Sequence, residues 1–306
     1  WYYDSIPFLL VHVVAVAGLF VFELTWTAAA LVLVSYAIRM FGITAGFHRY
    51  FSHRAFKAKR WFQFVLGLLG SLSVQRSVLW WSGHHVDHHK YSDTEKDIHS
   101  PKKGFIWSHV MWMLVPDYDA TPERQLRAFG KYPEIMWLHR YWLPLCVGYA
   151  ALFFFLGGWS WLYWGFFVST VFTWHGTFTI NSLSHVWGSR RYKTSDTSRN
   201  NLWLSLITFG EGWHNNHHHY PSTANQGFFW WEIDVSYYVL RLCEKLGWVW
   251  DLRTPPKWVL EGRARKDDPG FSALVHPPAA ARMPPPPRTA GPHRRPCAEG
   301  PVTQES

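Results

Sequence analysis

Residues 141–181 read YWLPLCVGYAALFFFLGGWSWLYWGFFVSTVFTWHGTFTIN, 41 positions without one Asp, Glu, Lys or Arg. A helix crosses the hydrocarbon core of a bilayer with about 20 apolar residues. The run is therefore twice the length of one crossing, and Gly157-Gly158-Trp159-Ser160 interrupts it near its middle. This predicts two spanning helices, about 141–157 and 160–181, joined by a tight turn. A soluble helix of that length shows a polar stripe, and this run has none. Working back along the chain, residues 6–24 and 27–47 are also apolar, with Thr25 and Trp26 between them, and they predict a second hairpin. Arg39 interrupts that hairpin and is expected to snorkel or to face the bundle interior.

The rest of the chain supports this reading. Of 306 residues 19% are aromatic and 17% charged, which excludes a disordered chain. The mean hydropathy of -0.13 averages apolar runs with the polar segments between them. The net charge of +9 is uneven: residues 1–47 carry -1, 48–140 carry +6 and 182–306 carry +4. Two hairpins return the chain to the side it started from, so both basic segments share that side, and the positive-inside rule makes it the cytoplasm. The charge thus marks topology rather than a nucleic-acid partner. Tyr141, Trp142, Trp159, Trp161 and Trp164 cluster at span ends, where interfacial anchors belong. Residues 61–81 are apolar but broken by Gln63, Ser71, Gln75 and Arg76, and predict a membrane-surface or partly inserted helix. Twelve of 19 prolines fall from Pro255 onward, so 261–306 is expected to be a disordered tail behind one membrane domain, 1–260. Opening on Trp1, the sequence is expected to lack its natural start. The fold class is an all-α integral membrane protein, with four helices in two hairpins carrying a cytoplasmic helical cap (48–140 and 182–260).

The cap holds most of the 18 histidines, and they are patterned. His48 and His53 form H-x4-H. His85, His88 and His89 form H-x2-HH, and His214, His217 and His218 repeat it. Offsets of three and four residues share a helix face, so each HxxHH is expected to bring three imidazoles to a common point. His84 and His219 extend the runs off that face. His185 directly follows the last span and joins the others at the membrane boundary. Core packing is the expectation for His12, His109, His139 and His175. Cys146, Cys243 and Cys297 form no CxxC, so thiolate sites are excluded. Eight or nine imidazoles exceed the four ligands of one zinc and fit two ions with four or five each. Imidazole suits Zn, Cu, Fe and Ni alike. A site at the membrane boundary, backed by an apolar bundle, points to oxidation of an unactivated C–H bond by O2 and so to a redox metal such as iron.

HRYFSH at 48–53, HHVDHH at 84–89, NSLSH at 181–185, GEGWHNNHH at 210–218 and the linking HKYSDTEKDIHSPKKGFIWSH at 89–109 resemble the membrane acyl-CoA fatty acid desaturases of the delta-9 type, over roughly residues 5–255. The resemblance implies a cytoplasmic cap with two Fe ions held by His48, His53, His85, His88, His89, His185, His214, His217 and His218, with Asn181 on a metal-bound water. It implies oxygen-dependent desaturation that places a cis double bond, of delta-9 type, in a long saturated acyl chain lying in a bent tunnel. Gln75, Trp81 and Thr177 match the tunnel's kink, and Tyr36 and Met40 stand where its closed end belongs. Animal members carry Arg inside the second box, where this chain has Val86 and Asp87. Acyl-CoA, an acyl carrier protein and a lipid-linked chain therefore all stay open as carriers. No fused cytochrome-b5-like domain is present, so a separate cytochrome-b5-like protein or a ferredoxin with its reductase is expected to supply electrons. The membrane is that of the bacterial interior or the endoplasmic reticulum. Asp87, Asp93, Glu95, Asp97 and Glu211 are candidates to orient ligands through the second ring nitrogen. A hydroxylase of the same chemistry, and a histidine-rich membrane metal transporter, are the alternatives.

Overall fold

The computed structural model describes residues 5–262; the expected tail lies almost wholly outside them. The elements are helices, apart from two-residue strands β1 (Lys57–Ala58) and β2 (Val249–Trp250), which pair antiparallel. Helix α1 (Ser5–Ala17) runs on through one 3-10 turn to Phe20, and α2 (Trp26–Phe41) begins where Thr25 Oγ1 accepts the Ala28 N–H at 3.1 Å. α2 does not stop near residue 47 as expected. It continues as a π-helix over Gly42–Ser52, and Trp26–Ser52 is long and apolar enough to cross a membrane.

The second stretch that meets this test is Trp142–Val186. Within it α8 (Trp142–Leu162) breaks at Gly157 (φ -155°) and Gly158 (φ 68°). The second angle is left-handed and suits a residue without Cβ. The chain turns back on itself there: Tyr149 meets Phe166 at 6.3 Å, and a Cβ on Gly165 would stand 2.5 Å from the Phe153 ring. α9 (Ser169–Asn181) then packs on α1 and α2. Leu9, Leu10, Val13, Val16, Leu33, Val34, Val147, Phe155, Leu156 and Phe172 point outward and exposed. An apolar surface of that extent is not left to water, and the chain is membrane-associated. Arg39 faces the interior, its guanidinium bonded to Ser35 O at 3.1 Å, to Thr170 Oγ1 at 2.7 Å and to Ser169 Oγ.

The expected single helix over 61–81 is two helices, α3 (Arg60–Ser71) and α4 (Val78–Tyr91). Val74 and Arg76 between them have φ of 59° and 67°, which no right-handed helix accommodates. α3 is packed into the molecule, with Phe62, Leu66, Gly67 and Gly70 buried. It crosses the π-helical stretch at Gly42 and Gly46, where an added Cβ would meet α3 backbone at 2.3 and 2.7 Å. Small residues four apart permit this approach of two helix backbones. Phe47, Phe51, Leu66, Leu79, Ile135, Leu138 and Leu240 belong to one buried apolar core. The remaining helices are α5 (Phe105–His109), α6 (Glu123–Phe129), α7 (Pro133–Arg140), α10 (Leu183–Val186), α11 (Leu202–Ile207), α12 (His214–His219), α13 (Val235–Lys245) and α14 (Lys257–Leu260).

Candidate metal centre

The π-helix decides the first pair of histidines. Five residues overshoot one α-helical turn by about 140°, which would part His48 from His53. A π-helix bonds i to i+5, and His53 N–H does donate to His48 O at 3.1 Å, so the two rings meet with centroids 4.8 Å apart. α4 carries His85, His88 and His89; α10 carries His185; α12 carries His214, His217 and His218.

These nine imidazoles gather into two groups, His48, His53, His85, His89 and His217 in one, and His88, His185, His214 and His218 in the other. Within each group one ring nitrogen per residue lies within 4.8 Å of the rest. The boxes do not each serve one point, as their spacing suggested. In both, the i,i+4 pair (His85 with His89, His214 with His218) enters one group and the i+3 member (His88, His217) enters the other. Residues at i+3 and i+4 lie on opposite flanks of the helical stripe, about 100° apart, so two facing helices divide their histidines between two centres.

Each group is drawn to a point by its Nε2 atoms. His217 Nε2 is 3.0 Å from that of His48 and 2.8 Å from that of His89; His53 and His85 are 2.9 Å apart, and His185 and His214 are 3.1 Å apart. Carboxylates stand behind four of the rings. His48 Nδ1 faces Glu211 Oε2 at 2.6 Å, His88 Nδ1 faces Asp97 Oδ1 at 3.0 Å, His185 Nδ1 faces Asp93 Oδ1 at 3.4 Å and His218 Nδ1 faces Asp196 Oδ2 at 2.7 Å. A carboxylate there keeps the proton on Nδ1 and leaves the Nε2 lone pair for a metal. His218 Nε2, buried and without a partner, is such an orphan, and His214 and His217 each have an orphaned Nδ1. Buried Arg49 holds Glu211 at 3.0 Å and Asp234 at 2.9 Å, which fixes the carboxylate behind His48.

Burial, and then the neighbouring imidazoles, push His53, His85, His89, His214 and His217 well below the usual imidazole range. They are neutral at pH 7, the form that binds metal. Burial would lower His88 too, but the Asp97 carboxylate reverses this and raises it. Burial alone would raise Asp93, yet His185 and Thr197 hold it at about 2. Asp196 behaves alike, with His218 outweighing burial and keeping the carboxyl well below its usual range.

Of the five carboxylates picked out in the sequence, Asp93, Asp97 and Glu211 back imidazoles. Asp87 instead pairs with Arg124 at 3.1 Å, and Glu95 is exposed. Asp196 was missed, because nothing near it in sequence marks it. His99 was missed as well: it is buried against His88 at 4.2 Å between ring centroids. His84 turns away to Trp80, and His219 stacks on Tyr192. His12, His175 and His109, expected in the core, bond to one another in a chain at 3.0 and 2.9 Å, and His139 bonds Ser77 Oγ at 2.6 Å.

Two cavities border the histidines. One of about 300 Å³ runs from Pro7, Phe8, Val115 and Leu143 inward to His85, Trp81, Thr177 and Asn181. A second, of about 40 Å³, shares those last four residues and reaches Met40, Ile43, His48 and His214. At their common wall Trp81 Nε1 donates to Gln75 Oε1 at 3.2 Å and Gln75 Nε2 donates to Thr177 Oγ1 at 3.0 Å, so the three expected kink residues form one hydrogen-bonded set. Tyr36 lines neither cavity; its hydroxyl donates to Ile207 O.

The family model described as fatty acid desaturase matches residues 24–251. The chain is 40% identical over 230 residues to an sn-2 palmitoyl-lipid 9-desaturase of Nostoc sp. (strain 36), covering 73% of this chain and 80% of that one. It is 39% identical over 249 residues to Delta-9 acyl-lipid desaturase 2 of Arabidopsis thaliana, covering 80% of each. An icosanoyl-CoA 5-desaturase of Limnanthes douglasii is 35% identical over 260 residues, 82% of this chain and 72% of that one.

Proposed function

The chain belongs to the fatty acid desaturase family, and from that premise we propose a membrane-embedded desaturase that works on lipid-linked acyl chains at a pair of iron ions held by its nine clustered histidines. The general activity, fatty acyl desaturation by an oxidoreductase, follows from the family. The observation that carries the finer reading is the division of nine buried or half-buried imidazoles into groups of five and four at the wall of a mostly apolar cavity.

The donor set suits the metal: nitrogen ligands, carboxylates behind four of the rings, and a buried His218 Nε2 left without a partner. When bound, the ions supply the redox chemistry by which O2 and two external electrons remove two hydrogens from adjacent carbons. His48, His53, His85, His89 and His217 would hold one, and His88, His185, His214 and His218 the other. Asn181, at the junction of both cavities, would hold a water bound to the metal there. The chain's remaining task is alignment. The two cavities form one bent tunnel; Gln75, Trp81 and Thr177 make the bend, so that a saturated chain presents one pair of carbons to the histidines. Four membrane passes, with the basic cap and both termini on the cytoplasmic side, complete the arrangement. A separate one-electron carrier protein serves the cap.

Two relatives are named for acyl-lipid substrates and one for an acyl-CoA. The wider cavity has Pro7 and Leu143, both exposed on the apolar belt, in its outer wall, which favours a chain delivered from the bilayer. Expression in a desaturase-deficient cell followed by fatty acid profiling is the test: an unsaturated product supports the reading, and a hydroxylated one overturns it. Isotope-labelled phospholipid and acyl-CoA, supplied separately to membranes, distinguish the carriers.

Met40 is buried at the inner end of the smaller cavity. Met40→Ala removes three heavy atoms there and is expected to lengthen the longest accepted chain by about two methylenes. An unchanged length limit in competition between chains of different length would show that the tunnel ends elsewhere.

A further inference from the structure

Gln75 sits in a turn that its neighbours' chemistry does not favour. Val74 and Arg76 on either side have φ of 59° and 67°, a region costly for side-chain-bearing residues and most costly for a β-branched valine. Such a conformation persists only where the surroundings over-determine it. The surroundings here centre on Trp174. Its indole N–H lies 3.1 Å from both Ser73 O and Val74 O, so one donor grips two successive carbonyls. The ring itself is buried and stacks on Phe8 at 5.0 Å. On the turn's far side Arg76 pairs with Asp119 at 2.6 Å and packs over Trp80 at 5.3 Å. Trp174 and Thr177 are three residues apart on α9 and share a face. One face of one helix therefore pins the backbone of the turn and also accepts the hydrogen bond from Gln75.

We propose that Trp174 is a positioning residue for double-bond placement. By gripping the Ser73 and Val74 carbonyls it holds a strained turn, and the turn fixes Gln75 against Thr177 and Trp81 at the bend of the tunnel. This rests on the cavities being the acyl tunnel. Successive carbons of an extended chain are about 1.3 Å apart along its axis, so a turn that relaxes by that distance lets the chain slip by one carbon relative to the histidines.

The test is Trp174→Phe, which keeps an aromatic ring and removes the N–H, in the full chain expressed in a desaturase-deficient cell. The parent's single double-bond position is expected to spread to neighbouring carbons in mass spectra of derivatised products. Yield falls several-fold while iron per chain stays at the parent's value. One unchanged position with full iron content overturns the proposal. Should Trp174→Phe lose iron, adding Val74→Gly relieves the strained φ at that turn: return of iron and of the parent's single position in the double variant supports the clamp, and failure of the glycine to restore either refutes it. A parent that yields no unsaturated product would instead sink the tunnel reading, and this inference with it.

Discussion

His217→Ala is expected to cut the yield of unsaturated fatty acid at least about a hundredfold and to take iron from about two per chain to one or fewer. His217 is the hub of the five-membered group, its Nε2 lying 3.0 Å from that of His48 and 2.8 Å from that of His89. It is also fully buried, so alanine leaves a void that another ligand has no route to fill. The loss is one of redox chemistry rather than of a single contact, which is why the effect exceeds that of any outer residue. Asp196→Asn gives the scale: it keeps His218 in place but weakens the hold on its Nδ1, and outer partners of this kind are worth about 10- to 100-fold in metal affinity or activity. Product profiling together with iron determination on purified protein checks both. Full activity in His217→Ala would remove the five-membered group from the mechanism.

What the sequence made legible was whatever depends on composition and short spacing. A 41-residue run without charge announces apolar helices, and two adjacent glycines in it announce the reversal that Gly158 makes with its φ of 68°. The histidines were visible because one box, H-x-x-H-H, occurs twice and a third, H-x4-H, accompanies it. Their division was not. An H-x-x-H-H pattern names a helix face, yet whether that face serves one centre or two depends on what it opposes, and only α4 and α12 set against each other show it. H-x4-H was legible as a motif but made no sense on an α-helix; the π-helix over Gly42–Ser52 supplies the missing rotation. Asp196 belongs to a loop placed by tertiary contacts, so no local signal marks it. The turn over 72–77 escaped for a related reason: Val74 and Arg76 lack the glycine that ordinarily signals a left-handed backbone. In each case the sequence shows which groups are present, and long-range packing decides what they face.

That packing also sets how the protein responds to acid. Metal-free protein is expected to lose stability steeply below about pH 6.5. His53, His85, His89, His214 and His217 are held neutral in the fold by burial and by one another, well below the 6.5 of an unfolded chain. The unfolded chain therefore takes up protons that the folded one refuses, and stability falls as pH drops through 6.5. His88 works in the opposite sense, since Asp97 raises it, and offsets part of the loss. Five groups acting together against one make the loss substantial beside the small net stability of a folded domain. The carboxylates stay out of this window: Asp93, held at about 2, contributes fully above the usual carboxylate range and is lost only in stronger acid. Iron competes for the same ring nitrogens and should move the acid transition to lower pH. Thermal melts of iron-depleted and iron-loaded protein in detergent at pH 7.5, 6.5 and 5.5 provide the measurement. The expected pattern is a sharp fall in Tm for the depleted form between the last two values, and a smaller one for the loaded form. Equal melting of the depleted protein at all three would mean that the imidazoles titrate alike in the folded and unfolded chain, and the neutral cluster held by burial would have to be abandoned.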